Sequence, residues 1–347
     1  MRIAVYGASG YQGKLVLAEL AARRGVRPVP AGRDAGRLEK AAAAVGMPDA
    51  DIRVALPDES LAAALADCDA VVNCAGPFTL TGAAVVRAAI SAGCHYVDTA
   101  GEQVFVKEVF DAFGQDARRA GVTVVPAAND GCAPTDLLAH LLAERYGPLD
   151  TLTSTHVIAG GGGMSRGSLR SLAETVDHFR TGGLAYENGD WRTGTAPLRT
   201  EITLPGDPRP TPVMRAPLPE VVTIPRHITV RALEGAVEAA LSARLNTAPT
   251  PEIIDGLPEG PAEDARDGQR FTYVLDARTA TGEDARAVVR GRDTYGITAA
   301  IAAEAATRLI TAPAAPGVLA PAQAYDPTDF LDALAPHGLT WTITPPS

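Results

Sequence analysis

The segment MRIAVYGASGYQG, residues 1–13, joins a short apolar run directly to three glycines spaced three residues apart. The run Ile3–Tyr6 predicts a buried β-strand, and Lys14–Arg23 after the glycines predicts a helix. Because the glycines permit a tight turn, the N-terminal amides of that helix would point at an anion held there. A glycine-rich turn between a strand and a helix predicts a dinucleotide-binding site. The residues predicted to bind this cofactor are Gly7, Ser9, Gly10, Tyr11 and Gly13.

Short apolar runs alternate with helix-like runs through residues 1–131. The next predicted strands are Arg27–Ala31, Ile52–Ala55, Ala70–Cys74, His95–Asp98 and Thr123–Pro126. The predicted helices between them are Ala35–Val45, Leu61–Ala66, Gly82–Ala92 and Val104–Ala120. This alternation predicts an α/β Rossmann domain, a doubly wound parallel sheet with right-handed crossovers.

The residue composition changes after residue 131, where proline, glycine and threonine become frequent. Residues 132–290 predict a second, mixed α+β domain that binds substrate and has room for an oligomer contact. Its predicted helices are Leu137–Tyr146 and Ser168–Phe179, its predicted strands are Leu152–Ala159, Glu201–Leu204, Val221–Ile224 and Thr272–Ala277, and Pro249–Asp267 is predicted to be a mobile loop. Residues 291–347 carry the predicted helices Thr298–Ile310 and Thr328–Leu334, and we expect this segment to pack back on the first domain.

The net charge and the cysteine content indicate which kinds of ligand or partner the protein binds. The formal net charge of −10 argues against nucleic acid or an anionic membrane surface, so we expect a small-molecule substrate. The four cysteines form neither a Cys-x-x-Cys pair nor a zinc-ligand spacing with histidine, so no metal is predicted. No apolar run reaches transmembrane length, and the N-terminus reads as a strand rather than a signal peptide. We therefore expect a cytoplasmic enzyme.

The end of the second predicted strand bears on which nicotinamide cofactor is bound. Sites selective for NAD place an acidic residue there to accept hydrogen bonds from the ribose hydroxyls. Here Arg33 stands at that position, and Arg37 lies one helical turn later on the same side. A guanidinium can bind a 2′-phosphate with two hydrogen bonds, so the sequence predicts NADPH. Two alternatives stay open: Arg33 only begins the next helix, or the adjacent Asp34 binds the ribose of NADH.

Several further motifs carry a family resemblance. They are AGR at 31–33, VVNCAGPF at 71–78 with Gly82, HYVDTAGE at 95–102, PTD at 134–136, SRGS at 165–168, GRDTY at 291–295 and GVL with Pro321 at 317–321. With GASGYQG at 7–13 they resemble the saccharopine dehydrogenase-like oxidoreductases, and the resemblance extends over nearly the whole chain. It implies the Rossmann fold and NAD(P)-dependent redox chemistry. Because the family includes both saccharopine reductases and trans-acting enoyl reductases of lipid and polyketide pathways, the resemblance does not fix the substrate.

The resemblance also implies which residues lie beneath the ribose and nicotinamide of the cofactor. These are Asn73, Ala75, Gly76 and Pro77. Small residues at a strand end also suit the close approach of a flat ring. The alternative is that Gly76 and Pro77 form an ordinary turn.

The candidate catalytic residues follow the ends of predicted strands or lie on a predicted helix. No Tyr-x-x-x-Lys occurs, which excludes the catalytic pair of short-chain dehydrogenases. The candidates are Glu102, Asp130, Asp136 and His178. Asp98 lies on the same edge, but helix capping is its favoured role. Asp136 has an equal alternative, as an acid in the first turn of a helix.

The candidate substrate-binding residues are Arg166, Arg170 and His227. A helix start after the glycines at 160–163 would hold a carboxylate or phosphate, with the two arginines as ion-pair partners. Simple surface exposure of those arginines is the alternative. His227 lies in a proline-rich stretch, where a structural role is the more usual one.

Together these features predict an NADPH-dependent oxidoreductase that reduces a C=N or C=O bond of a small metabolite in the cleft between the domains. Imine reduction is the form of this chemistry implied by the saccharopine branch. The alternatives are a trans-acting enoyl reductase, which would require an acyl-carrier protein as partner, a non-catalytic NADP(H) sensor or scaffold, and a non-redox Rossmann enzyme such as an epimerase. A homodimer is compatible with all of them.

Overall fold

The computed structural model describes residues 1–161, 163–247 and 249–344. The first part contains β1 (Arg2–Tyr6), α1 (Tyr11–Ala21), β2 (Arg27–Gly32), α2 (Ala35–Ala44), β3 (Arg53–Val54), α3 (Glu59–Leu65), β4 (Ala70–Asn73), α4 (Phe78–Ala92), β5 (His95–Asp98), α5 (Gln103–Ala120) and β6 (Thr123–Val125). Each predicted strand and helix of this part is present, with ends shifted by a few residues.

The second part contains α6 (Cys132–Tyr146), β7 (Leu149–Ala159), α7 (Arg166–Thr181), β8 (Ala185–Glu187), β9 (Asp190–Arg192), β10 (Glu201–Thr203), β11 (Pro210–Arg215), α8 (Glu220–Thr223), β12 (Val230–Glu238), α9 (Ala239–Leu245), α10 (Pro251–Gly256), α11 (Glu263–Asp267), β13 (Arg270–Thr279) and β14 (Asp284–Arg292). The C-terminal part contains α12 (Thr294–Thr311), β15 (Gly317–Val318), α13 (Pro321–Ala324), α14 (Pro327–Ala333) and β16 (Thr340–Thr344).

The first sheet is a parallel Rossmann sheet of seven strands in the order β15-β6-β5-β4-β1-β2-β3. Helices cover both of its faces, so each central strand is apolar on both sides. In β1, Ile3 and Val5 enter one core cluster while Ala4 and Tyr6 enter the other. The predicted α/β doubly wound fold is confirmed, and its cofactor edge lies where β1 and β4 end.

Glycine at two positions lets α1 sit directly on the end of β1. Gly7 has a φ of +84°, and a Cβ placed there would lie 3.0 Å from the backbone nitrogen of Ala75, at the end of β4. A Cβ at Gly13 would lie 2.1 Å from the carbonyl oxygen of Gly7. The turn is therefore too tight for side chains at these positions, and the close packing aims the first amides of α1 along the sheet edge.

The second sheet is mixed, in the order β10-β11-β12-β7-β13-β14-β16, with β8 and β9 attached to β12. Strands β12 and β7 run parallel, and the neighbouring pairs are antiparallel. The prediction of a strand at Val221–Ile224 is wrong, since Glu220–Thr223 forms α8. Its apolar run is too short to separate strand from helix by periodicity. The continuous loop predicted at Pro249–Asp267 instead contains α10 and α11.

The C-terminal segment contributes to both sheets. Strand β15 pairs with β6, and α12 packs against α1, as expected for a segment that returns to the first domain. Strand β16, however, pairs with β14 in the second sheet. The proposed boundary at residue 290 also falls inside β14. The two domains are therefore joined by crossing elements rather than by one linker. Across the described residues, no helix combines the length and apolarity needed to cross a membrane.

Replacement of Gly13 by alanine tests the packing of α1. We expect Gly13→Ala to lower the free energy of unfolding by about 1–3 kcal/mol, because the new methyl group meets the Gly7 carbonyl. Gly36→Ala is the control, since Gly36 lies exposed in α2 with its nearest neighbouring atom 3.7 Å from the added Cβ. That control should be neutral or stabilising by up to about 1 kcal/mol. Urea unfolding measures both, and equal stability of Gly13→Ala and wild type would contradict the packing argument.

Candidate functional site

The cofactor edge of the first sheet has a cationic end. Arg33 is exposed immediately after β2. Asp34 is the N-cap of α2, because its Oδ1 accepts a hydrogen bond from the backbone nitrogen of Arg37 at 3.0 Å. The acid that would otherwise serve a ribose is therefore engaged by the helix. The Arg37 side chain reaches back to the carbonyl oxygen of Ser9 at 3.5 Å, beside the glycine turn.

The turn after β4 forms the other end of the edge, and Asn73 shapes it. The Oδ1 atom of Asn73 accepts from the backbone nitrogen of Ala75 at 3.0 Å, and its Nδ2 atom donates to the hydroxyl of Tyr96 at 3.1 Å. Asn73 is fully buried, so its side chain acts on the turn from beneath. The Gly76–Pro77 peptide is cis. A Cβ at Gly76 would lie 3.0 Å from the Ser171 Oγ of α7, so the second domain covers this turn.

Glu102 holds this turn in place from β5. Its Oε1 accepts from the backbone nitrogen of Phe78 at 3.1 Å, at the start of α4, and its Oε2 accepts from the backbone nitrogen of Gly101 at 3.0 Å. The side chain is buried. A carboxylate at the N-terminus of a helix is stabilised by the helix dipole. Both oxygens are thus engaged by amides, and Glu102 is better placed to position the turn than to transfer a proton.

A small cavity lies between Glu102 and α7. It is lined by Gly101, Glu102, Gln103, Val104, Thr175, His178, Phe179 and Pro217. Its volume of about 10 Å³ matches a single water molecule at most. The structure therefore brings together two predicted catalytic residues, Glu102 and His178, but in a closed arrangement. A substrate would enter only if α7 moves.

Gln103 closes the cavity from the side, and the sequence analysis missed it. Its Oε1 accepts from the backbone nitrogen of Leu184 at 2.7 Å, and its Nε2 donates to the carbonyl oxygens of Leu184 and Leu218 at 3.1 and 3.0 Å. Gln103 is buried, so these bonds join α5 of the first domain to the second domain without competition from water. Its position directly after Glu102 in a strand-end segment was the available signal.

Asp98 organises the backbone at the same edge. Its Oδ1 accepts from the backbone nitrogens of Ala100 and Ala127 at 2.9 and 2.8 Å, while its Oδ2 has no hydrogen-bond partner. Burial raises the pKa of Asp98 to about 6, and the two amide hydrogen bonds only partly oppose that shift. Helix capping, the role favoured from sequence, is wrong for Asp98, because the N-cap of α5 is Glu102 and the two amides that Asp98 binds lie in loops.

Asp130 lies in the contact between the domains and away from the cavity. It accepts from the Tyr273 hydroxyl of β13, and its Oδ1 accepts from the Thr298 Oγ1 of α12 at 3.0 Å. Burial raises the pKa of Asp130, and these hydrogen bonds oppose that shift. Tyr273 in turn stacks on His156, with ring centroids 4.0 Å apart. These contacts hold Asp130 between β13 and α12, and its catalytic role stays a prediction.

Asp136 and His227 bind each other instead of lining the cleft. The His227 Nε2 lies 3.0 Å from the Asp136 Oδ2, and the His140 Nδ1 lies 3.2 Å from the His227 Nδ1. The backbone nitrogen of Ala322 donates to the Asp136 Oδ1 at 2.8 Å. Both side chains are almost fully buried, beside α13 and the β15 edge of the sheet. Asp136 thereby joins α6 to the C-terminal segment, and the expected roles of both residues at substrate stay predictions.

The two candidate arginines of α7 differ in their contacts. Arg170 pairs with Asp255 of α10 at 2.5 Å on the surface, which partly neutralises the charge expected to meet a substrate. Arg166 is half-buried at the first position of α7, and its backbone nitrogen donates to the carbonyl oxygen of Glu259 at 3.0 Å. Neither arginine lines the cavity beside His178. Their role in substrate binding stays a prediction.

Comparison with known families supports cofactor binding at this edge of the first sheet. Residues 3–125 match the family model described as "Saccharopine dehydrogenase NADP binding domain". The match covers the Rossmann sheet and its cofactor edge. Its glycine cradle fits the cofactor, because a Cβ at Gly7 or Gly13 would fill the space where the turn and helix meet. The predicted resemblance, the α/β fold and the NADP cofactor are thereby confirmed.

Two curated proteins each match about half of this chain. A putative trans-acting enoyl reductase of Mycobacterium tuberculosis is 33% identical over 184 residues, which cover 50% of this chain and 44% of the relative. A lipid droplet localized protein of Caenorhabditis elegans is 29% identical over 176 residues, which cover 47% of this chain and 41% of the relative. The chain thus spans less than half the length of the curated relatives it matches.

The fold of the whole chain also has a counterpart. Apo saccharopine dehydrogenase (L-Glu forming) of Saccharomyces cerevisiae superposes with a TM-score of 0.60 over 99% of this chain and 100% of that chain. The sequences are 16% identical, so this match shows a shared fold. Within the described residues, no three His, Cys, Asp or Glu side chains gather as metal ligands.

Replacement of Asp98 by asparagine tests whether the pKa of this buried carboxyl is raised. Because the folded pKa lies above the usual value near 4, the protonated Asp98 carboxyl contributes stability below about pH 4, and this contribution is lost as pH rises to about 6. Asp98→Asn keeps an oxygen that accepts from both amides. We expect its unfolding free energy, relative to wild type, to increase between pH 4 and pH 6 and then level off. Exposed Asp49→Asn is the control, and a pH-independent difference for Asp98→Asn would contradict the argument.

Reversal of the Arg33 charge tests the cofactor assignment. We expect Arg33→Asp to weaken NADPH binding by about 10- to 100-fold, since a charge-assisted hydrogen bond to the 2′-phosphate contributes about 1.5–3 kcal/mol. NADH binding should change little. Fluorescence titration of both cofactors measures the ratio, and Arg24→Asp, an exposed site after α1, makes the same charge change elsewhere. Equal loss of both cofactors, or unchanged NADPH affinity, would refute the assignment.

Proposed function

We propose that this chain is an NADPH-dependent reductase that acts on an electron-poor double bond beneath α7, in the cleft between its two domains. The observation that carries the proposal is the adjacency of the turn after β4 to the cavity that contains His178. Glu102 links the two, because it binds the backbone of Phe78 and also lines that cavity. When bound, NADPH supplies a hydride from its nicotinamide ring.

The residues of the site divide into positioning and proton-handling groups. Glu102 and Asn73 fix the backbone on which a nicotinamide ring would rest. His178 lies half-buried on α7 and contributes an imidazole to the cavity, so it is our candidate proton donor to the reduced substrate. Gln103 holds the second domain against this edge and limits the entry of water.

The preferred acceptor is the C=C bond of an enoyl thioester. The ionisable residues that line the cavity are Glu102 and His178, and neither lysine nor arginine is among its lining residues. A cavity without cations suits an uncharged acyl chain better than an acceptor that carries carboxylates. The name of the mycobacterial relative supports this choice, although the match covers half of this chain. An acyl-carrier protein is the partner that such a substrate implies.

Reduction of a C=N or C=O bond is the second candidate. It is favoured by the engagement of both Glu102 oxygens with backbone amides, which leaves few groups able to donate a proton. An iminium is already electron-poor and needs no proton donor at the reacting atom. A carbonyl needs one, and His178 would have to supply it.

A panel of acceptors separates these candidates from each other and from a binding protein. The chain is incubated with NADPH and with 2-enoyl thioesters, cyclic imines, keto acids plus amines, and simple carbonyl compounds, while NADPH absorbance is followed. We expect the fastest oxidation with an enoyl thioester. Turnover with imines alone would support the second candidate instead. Tight NADPH binding without turnover on any acceptor would overturn the reductase proposal and favour a sensor or scaffold.

Replacement of His178 tests its role on the best acceptor found. We expect His178→Gln to lower kcat by about 100-fold or more, because a positioned acid contributes on that order, while the Kd for NADPH stays unchanged. His337→Gln is the control, since His337 lies near the C-terminus, away from the cavity. An unchanged kcat for His178→Gln would remove His178 from the mechanism.

A further inference from the structure

A segment of the second domain crosses the glycine turn of the first. We call residues 257–261, between α10 and α11, the strap. The Tyr11 hydroxyl, on the first residue of α1, donates to the carbonyl oxygen of Pro261 at 2.6 Å. Gly260 packs against the Tyr11 ring so closely that a Cβ there would lie 2.5 Å from the ring. The strap is therefore fitted to this turn by close packing as well as by a hydrogen bond.

The strap places one carboxylate between two cations of the cofactor edge. The Lys14 Nζ of α1 lies 2.5 Å from the Glu259 Oε2, and an Arg37 guanidinium nitrogen lies 3.8 Å from the Glu259 Oε1. That same Arg37 nitrogen also reaches the carbonyl oxygen of Ser9. Glu259 thus marks a point beside the glycine turn where two cations of the first domain bind an anion that the second domain supplies.

We propose that Lys14, together with Arg33 and Arg37, binds the 2′-phosphate of NADP, and that Glu259 fills this position until the cofactor displaces it. Lys14 becomes a specificity-determining residue, and Glu259 an internal competitor. The inference rests on the NADP-binding domain and does not depend on which double bond the protein reduces.

Only the phosphorylated cofactor carries the charge needed to displace the Glu259 carboxylate. A phosphate monoester carries nearly two negative charges and three acceptor oxygens, whereas a carboxylate carries one charge and two oxygens. NADP therefore gains more from Lys14 and Arg37 than Glu259 does. NAD has no phosphate at this position and gains nothing from displacing the carboxylate. Displacement of Glu259 costs free energy only for NADP, because NAD leaves the carboxylate in place. The competition therefore lowers NADP affinity without affecting NAD, while Lys14 and Arg37 provide the preference for NADP.

The strap also connects this position to the cavity. The carbonyl oxygen of Glu259 accepts from the backbone nitrogen of Arg166, the first residue of α7. Helix α7 carries His178 into the cavity that is closed in this structure. Release of the strap by the cofactor would therefore free the start of α7, so NADP binding should precede entry of the substrate.

The first test removes the competitor. We expect Glu259→Gln to bind NADPH about two- to fivefold more tightly than wild type, the range expected for loss of an exposed ion pair, with NADH affinity unchanged. The gain should shrink at high salt. Glu252→Gln, on exposed α10, is the matched control. Unchanged NADPH affinity, or an equal gain for NADH, would overturn the competition.

The second test removes the proposed phosphate ligand. We expect Lys14→Gln to weaken NADPH by at least fivefold and to leave NADH within twofold, with exposed Lys40→Gln of α2 as control. If Lys14 only anchored the strap, Lys14→Gln would tighten NADPH as Glu259→Gln does, and the phosphate role would be wrong. Both titrations are made without acceptor, so they are independent of the proposed reaction.

A third measurement separates displacement from loss of folding. Unfolding without ligand is recorded for each variant, and amide hydrogen exchange of the strap is compared with NADP⁺, with NAD⁺ and with neither. We expect NADP⁺ to accelerate exchange at Leu257, Glu259 and Gly260, the strap residues that carry an amide hydrogen, and NAD⁺ to leave it unchanged. Protection of the strap by NADP⁺ would show that Glu259 stays in place, which would overturn the proposal.

Discussion

Helix α1 can dock on the end of β1 because Gly13 has no side chain, and the rest of the site depends on that contact. Any Cβ there would penetrate the Gly7 carbonyl, at 2.1 Å. With α1 seated, its first residue, Tyr11, faces the second domain and meets both the strap and the ring of Tyr295 at 5.1 Å between centroids. Tyr295 then binds the start of α7, through the backbone nitrogen of Ser165 at 2.7 Å. One close approach thus sets the helix amides, the strap and α7.

The two domains are held together by a shared apolar core and by a smaller number of polar contacts. A single apolar core contains side chains from β1, α6, α12 and β13, so these elements form one packed body. The parts above the cofactor edge, α7 and the strap, are held by few polar contacts, several of them partly exposed. Local opening requires least free energy where buried apolar contacts are few. We therefore expect ligand entry to require movement of α7 and the strap.

The sequence predicts the first domain well because its strands are buried on both faces and read as continuous apolar runs. In the second domain the strands β12 (VRALEGAVE) and β14 (DARAVVRGR) carry charged residues, and periodicity does not reveal them. The glycine turn and Arg33 follow from local pattern. Gln103 and Glu259 do not, because their importance comes from partners 81 and 245 residues away in the chain. The contact between Asp136 and His227 was not predicted for the same reason, since a buried pair formed across 91 residues has no local signature.

Acidic side chains at the end of a parallel sheet are often taken for catalytic groups, yet here their hydrogen bonds indicate another use. Asp98 and Glu102 each bind two backbone amides, and Asp130 binds two hydroxyls. Each thereby fixes a loop that would otherwise leave polar groups unpaired. The cations lie together at the opposite end, around the glycine turn. This separation of charge suits the proposed recognition of the cofactor by its phosphate and of the acceptor by shape, with His178 as the proposed proton donor.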